Sequence, residues 1–128
     1  MKKILFTLIL MGITCALAQA AQVRNLSAPE AQQMLAQRKN TYLLDVRTPA
    51  EYLQVRIAGA NLIPIDKLTA RIAEIPTDRP LLVYCAVGSR SDMVSKYLAQ
   101  QGYDQVYNLN GGIWAWQLRN YPILQGAP

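Results

Sequence analysis

Two short, unbroken apolar runs constrain this chain more than any other feature: Tyr42-Leu43-Leu44-Asp45-Val46 and Leu81-Leu82-Val83-Tyr84. Neither alternates with polar residues, so each has to be covered on both faces, as the central strands of a parallel sheet are. The first run carries a carboxylate near its end, Asp45, and the second leads straight into Cys85. Helical patterns surround them. Ser27-Ala28-Pro29-Glu30 is an S-x-x-E box with proline in the first turn, and Ala31, Met34 and Leu35 continue along one helical face. Thr48-Pro49-Ala50-Glu51-Tyr52 predicts a short capped helix, and Leu68, Ile72 and Ile75 predict another, stopped by Pro76. Met93, Val94, Tyr97 and Leu98 recur at helical spacing before Gly102, and a last helix carries Trp114 and Trp116 after the Asn110-Gly111-Gly112 turn. With residues 23–26, 61–64 and 106–109 as further strands, the alternation predicts an α/β sandwich built on a parallel-type sheet. Ligands of such sheets sit beyond the carboxyl ends of the strands, where Asp45 and Cys85 fall.

The N-terminus reads differently. Lys2 and Lys3 precede an apolar stretch over residues 4–17, broken only by Thr7, Gly12 and Thr14, and Ala18-Gln19-Ala20 supplies an A-x-A cleavage signal. A retained membrane anchor would need about 20 apolar residues and no such signal. Residues 1–20 are therefore expected to be a signal peptide and 21–128 the mature chain, periplasmic or secreted, with one domain over about residues 23–122. Removing twenty of the 128 residues leaves 108, enough for one core but not two.

That processing sharpens the chemistry. Cys15 leaves with the signal, so Cys85 becomes the mature chain's sole thiol and an intramolecular disulfide is impossible. The chain has no histidine, which excludes Cys-His and Ser-His-Asp mechanisms and the usual zinc sites, and no metal or cofactor is implied. Eleven Lys and Arg against eight Asp and Glu give the mature chain a net charge of +3. These cations are scattered, which argues against a nucleic-acid partner, while small anionic substrates fit. After cleavage no membrane association is expected.

Cys85-Ala86-Val87-Gly88-Ser89-Arg90 joins a buried strand to a helix N-terminus. Successive backbone N–H groups can turn inward around the sulfur there, with Gly88 permitting the backbone angles and the helix dipole adding positive potential. Both effects, together with Arg90, favour the nucleophilic thiolate, and the same ring suits an anionic persulfide. The Arg90 guanidinium offers a planar fork to an oxyanion donor; its alternative use is a structural ion pair, with Asp45 as the candidate partner. Trp114, Trp116, Tyr42, Tyr84 and Tyr97 are read as core or near-core packing.

Four ordered segments resemble the rhodanese family: Leu44 to Tyr52 (LDVRTPAEY), Ile57 to Pro64 (IAGANLIP), Cys85 to Ser91 (CAVGSRS), and a closing stretch with Gly102-Tyr103, Val106, Asn108-Leu109 and Gly111-Gly112-Ile113-Trp114-Ala115-Trp116. The resemblance implies a five-stranded parallel sheet flanked by helices and a two-step sulfur transfer. A thiolate takes sulfane sulfur from a donor such as thiosulfate, and the persulfide passes it to cyanide or a thiol. By position, Cys85 is the persulfide-forming nucleophile, Ala86, Val87, Gly88, Ser89 and Arg90 form the substrate-binding cradle, and Asp45 and Arg47 support the pocket. One departure stands out: Val55-Arg56-Ile57 occupies the place where many members have Gly-His before Ile. Arg56 is read as a solvated side chain, or as an added cation if it faces the pocket.

Two other functions compete. Cysteine-dependent phosphatases use a similar strand-loop-helix, but their loop holds one residue more between cysteine and arginine than the four found here, and Tyr84 stands where they carry histidine. A sulfur carrier or binding module for a protein partner, without catalysis of its own, is the alternative that keeps the same fold. N-terminal sequencing of protein from cell fractions should find Ala21 first in material outside the cytoplasm; intact Met1 in the cytosol would refute the export signal.

Overall fold

The computed structural model describes residues 22–128; the signal peptide expected over residues 1–20 lies outside the described residues. The sheet runs β1 (Arg24–Leu26), β2 (Tyr42–Asp45), β3 (Asn61–Leu62), β4 (Leu81–Tyr84) and β5 (Val106–Leu109), interleaved with α1 (Ala28–Gln37), α2 (Pro49–Gln54), α3 (Leu68–Arg71), α4 (Ser89–Gln100) and α5 (Gly112–Leu118). All pairings are parallel and the spatial order is β1-β5-β4-β2-β3, so the expected α/β architecture with a five-stranded parallel sheet is the one observed.

The alternation of side chains along each strand divides the core in two. Leu44, Val46, Leu81, Val83 and Cys85 face one side with Leu68, Val94, Leu98 and Tyr103. Leu43, Leu82 and Tyr84 face the other with Ala28, Ala31, Ile113 and Trp116. Every residue of β4 is buried, as its unbroken apolar sequence requires. Register places Asp45 beside Tyr84, so Asp45 and Cys85 leave the sheet at adjoining strand ends.

The helix starts follow from local chemistry. Ser27 and Glu30 form a capping box on α1, Thr48 and Glu51 form one on α2, and proline occupies the first turn of each. The helix expected to run from Leu68 to Ile75 is broken into a single α turn between 3-10 turns at Ile65–Lys67 and Ile72–Glu74. Four residues of α-helix cannot sustain cooperative propagation. Burial of Leu68 and Ile75, with the Tyr103 hydroxyl donating to the Ile75 carbonyl at 2.8 Å, fixes this segment instead.

Two expectations are corrected. Trp116 is core, with Nε1 donating to the Pro122 carbonyl at 2.9 Å, but Trp114 is 59% exposed. Arg56 is neither solvated nor turned toward the cysteine loop: it is only 5% exposed, lies over the Tyr52 ring at 4.7 Å, and donates from Nη1 to the Tyr52 and Gly126 carbonyls. Its backbone exchanges hydrogen bonds with Leu124, and the Gly126 N–H donates to the Leu53 carbonyl at 2.8 Å, so ordered contacts continue past the expected domain end at Pro122. A buried guanidinium needs acceptors, and here Nη1 finds two, the Tyr52 carbonyl in α2 and the Gly126 carbonyl in the C-terminal strap. Arg56→Ala should cost about 2 kcal/mol through lost packing and orphaned carbonyls. Hydrogen exchange at Leu124 and Gly126 should accelerate in the same variant; an unchanged thermal melt with unchanged exchange would show that the strap does not depend on Arg56.

Candidate active site

Cys85 closes β4 and is buried, and it is the free cysteine among the described residues. The chain turns sharply after it because two of its carbonyls are held from outside the loop. Ile113 N–H donates to the Cys85 carbonyl at 2.9 Å and Trp114 N–H to the Ala86 carbonyl at 3.1 Å. In a planar trans peptide the N–H points opposite the C=O. Anchoring those carbonyls on the start of α5 therefore turns the Ala86 and Val87 N–H groups the other way, into the bend.

That contact requires Gly112. A Cβ there would lie 2.4 Å from the Ala86 carbonyl oxygen, and φ is +61°. The sequence suggested only a turn at Gly111-Gly112; its role as the backing of the cysteine loop depends on an approach between distant segments that no local pattern encodes. Gly88 fulfils the expectation for the loop itself. Its φ of +107° is a left-handed conformation, and it caps α4 without any side-chain acceptor. The first N–H groups of α4 are consequently left for another acceptor.

The sulfur is that acceptor. Gly88 N–H donates to Sγ at 3.1 Å, and Ser91 Oγ lies 3.3 Å from Sγ. Burial pushes the Cys85 thiol up, but the Ser91 hydroxyl and the N–H groups of Ser91, Gly88 and Val87 outweigh it and leave the thiol below its ordinary value. Ser91 was missed as a site residue because a serine in the first turn of a helix reads as a capping or surface position; here it is fully buried. Its one proton has two acceptors, Sγ and the Gly88 carbonyl at 3.2 Å. It can stay on the carbonyl while the thiol is protonated and swing to the sulfur when the thiolate forms.

Arg90 makes an ion pair, though not with Asp45. Its Nη1 and Nη2 donate to the two carboxylate oxygens of Glu51 at 2.9 and 2.8 Å. Glu51 simultaneously accepts from the Thr48 N–H and hydroxyl in the α2 capping box. The Arg90 guanidinium, with burial opposing and Thr48 assisting, holds the Glu51 carboxyl down to about 2. Asp45 pairs instead with Arg47, both buried, through contacts of 2.7 to 3.2 Å; Arg47 Nη2 also donates to the Val55 carbonyl at 2.6 Å and its guanidinium lies over Tyr84. That pair ties the end of β2 to the segment after α2 rather than reaching the sulfur. Tyr84, whose hydroxyl accepts the Ile57 N–H at 3.2 Å, has its phenol pushed far above the usual range by burial and by the charge of Asp45.

Cys85, Ala86, Val87, Gly88, Ser89 and Arg90 thus come together as one loop. The arrangement can hold an anionic sulfur nucleophile without a base. Among the described residues no cluster of His, Cys, Asp or Glu is able to hold a metal ion.

Comparison with known proteins points the same way. The rhodanese-like domain family matches residues 27–119. A sulfurtransferase of Allochromatium vinosum is 41% identical over 102 residues, covering 80% of this chain and 95% of its own. The crystal structure of a rhodanese-related protein from Thermoplasma volcanium aligns with a TM-score of 0.72 at 32% identity, covering 79% of this chain and 97% of that one. A thiosulfate sulfurtransferase from Pseudomonas aeruginosa aligns at 0.73 and 29% identity over 82% of this chain and 21% of its own.

Ser91→Ala removes a neutral donor to the thiolate and leaves the backbone donors in place. Alkylation of Cys85 at neutral pH should slow by roughly threefold to tenfold, with the pH profile moving to higher pH. A profile identical to wild type would mean that the backbone alone sets the acidity.

Proposed function

This chain belongs to the rhodanese family, and from that premise we propose that it is a sulfurtransferase that carries sulfane sulfur as a persulfide on Cys85. The observation that carries the reading is the ring of donors around Sγ, which lowers the thiol against the effect of burial without any basic side chain. In the first half-reaction the Cys85 thiolate attacks the terminal sulfur of a donor such as thiosulfate. The sulfur–sulfur bond of the donor breaks, sulfite departs with the electron pair, and Cys85 retains the transferred sulfur as an anion. In the second half-reaction a thiophilic acceptor, cyanide or a thiol, attacks that outer sulfur and returns the thiolate.

The roles of the neighbouring residues follow from chemistry. Ala86, Val87, Gly88 and Ser89 supply the loop whose N–H groups face the anion. Arg90 adds positive potential held in place by Glu51, and Asp45 with Arg47 keeps the strand end rigid. No cofactor enters either half-reaction. We place the protein outside the cytoplasm, periplasmic or secreted, on the strength of Lys2-Lys3, the apolar stretch and the A-x-A signal. Among the described residues no helix is long and apolar enough to cross a membrane.

Incubation with thiosulfate should add the mass of one sulfur atom to the peptide containing Cys85, and cyanide should remove it as thiocyanate. Cys85→Ser should keep the fold and lose both reactions, since a hydroxyl fills the loop but is a far poorer nucleophile. Thiocyanate production by that variant, or a wild-type protein that never gains the sulfur from any sulfane donor, would refute sulfur transfer and favour the binding-module alternative.

A further inference from the structure

Asn110 is the one asparagine of the chain that glycine follows directly, and it is exposed at the end of β5. In that pairing the asparagine side chain is open to attack by the next backbone nitrogen, because glycine has no Cβ to block the approach and little conformational restriction. The Gly111 N–H donates to no backbone carbonyl among the described residues, so the nitrogen has no such bond to give up. Other asparagines are placed differently. Asn108 Nδ2 donates to Asn25 Oδ1 and Asn61 Nδ2 to the Leu43 carbonyl, and leucine follows all three.

The same position lies between two anchors. Upstream, the Asn110 N–H donates to the Leu26 carbonyl at 2.8 Å and continues the pairing of β5 with β1. Downstream, the Ile113 and Trp114 N–H groups hold the Cys85 and Ala86 carbonyls at 2.9 and 3.1 Å. Gly111 and Gly112 span the interval without slack. A Cβ at Gly111 would lie 2.7 Å from the Ala115 Cβ, one at Gly112 would lie 2.4 Å from the Ala86 oxygen, and one at Gly88 would lie 3.2 Å from the Gly111 nitrogen.

We infer that Asn110-Gly111 is a self-modification site, at which conversion of Asn110 to isoaspartate uncouples α5 from the cysteine loop and disarms Cys85. The Gly111 nitrogen bonds to the Asn110 side-chain carbonyl carbon, the bond from that carbon to Nδ2 breaks, and ammonia leaves with the Gly111 amide proton. Water then opens the cyclic imide. Attack at the side-chain carbonyl gives aspartate, and attack at the main-chain carbonyl gives isoaspartate. No oxidant or reductant takes part. In isoaspartate the main chain runs through the side-chain carbon and gains one methylene, roughly 1.5 Å of path. A displacement of that size breaks a hydrogen bond of ordinary length. The Cys85 and Ala86 carbonyls then lose the donors that fix them, and the amides facing the sulfur lose their orientation. This consequence concerns the thiolate itself and holds whichever reaction the thiolate performs.

The test ages the full folded chain at mildly alkaline pH, with a reducing agent present to keep Cys85 unchanged. Peptide mapping follows each asparagine, enzymatic methylation reports isoaspartate, and ion exchange separates the converted protein. Asn110 should convert before any other asparagine. The isolated isoaspartate fraction should be alkylated at Cys85 about tenfold more slowly than fresh protein at neutral pH, as expected for a thiol that has lost oriented donors. Freshly prepared Asn110→Asp carries the new charge without the extra methylene and should be alkylated within about twofold of wild type. Asn110→Ser should pass through ageing without loss. An Asn110 that stays intact while other asparagines convert overturns the inference, and so does an isoaspartate fraction as reactive as fresh protein. Both readings come from wild type and need neither variant to fold. If folded Asn110→Asp is as slow as the aged fraction, charge rather than chain lengthening disarms the cysteine, and the inference also fails.

Discussion

The covering of β4 on both faces is the constraint from which the site follows. Leu81, Leu82, Val83 and Tyr84 are all buried, so β4 must lie between β2 and β5 with helices above and below. The chain can then leave only at the strand's carboxyl end, and it has to re-enter a helix immediately, because α4 must pack Val94 and Leu98 back onto the same sheet face. Between Tyr84 and Ser89 only Cys85, Ala86, Val87 and Gly88 are available to make the reversal. A turn that tight cannot bond its amides to one another. They converge instead, and the group at the point of convergence is the sulfur of Cys85. The environment of the Cys85 sulfur is thus a consequence of sheet topology, with Gly88 and Gly112 as the positions where the backbone must be free of a side chain.

Burial of charge follows an equally economical plan. Asp45, Arg47 and Arg56 are all buried, a costly arrangement unless each donor and acceptor finds a partner. Asp45 and Arg47 satisfy one another, with the Val55 carbonyl taking a remaining donor. Arg56 Nη1 donates to the backbone carbonyls of Tyr52 and Gly126, which makes the end of the chain part of the packing around α2. Because α2 also carries Thr48 as its cap and Glu51 as its third residue, the helix that holds Arg90 is itself held at both ends.

What could be read from the sequence was whatever is encoded within one element. The strands at Leu81–Tyr84 and Val106–Leu109, the capping box at Ser27, the capped helix start at Thr48 and the left-handed Gly88 rest on neighbours a few residues apart. The partner of Arg90 was misassigned because Glu51 lies 39 residues away and already has a sufficient local explanation as a capping residue. Arg56 was misread for a related reason: an isolated arginine is ordinarily a surface residue, and its carbonyl partner at Gly126 is 70 residues distant. Trp114 and Trp116 are indistinguishable by composition. Their two-residue spacing on a helix places them on different faces, so only one of the two can point into the core.

The titratable groups around the sulfur also limit what chemistry the loop supports. Glu51 is held in its charged form by Arg90, Asp45 is engaged by Arg47, and the Tyr84 phenol is pushed far above neutrality by burial. With no histidine in the chain, neither Glu51 nor Tyr84 can exchange a proton with a reacting atom near neutral pH. Ester or phosphate hydrolysis on this scaffold would need a proton delivered to an alkoxide leaving group and a water activated for the second step. Transfer of sulfane sulfur needs neither, since sulfite and thiolate both depart as stable anions and a thiolate is already an anionic nucleophile. A cradle that makes a thiolate and supplies no acid or base is therefore well matched to passing sulfur between anionic partners, and poorly matched to the hydrolytic reactions that use a similar turn.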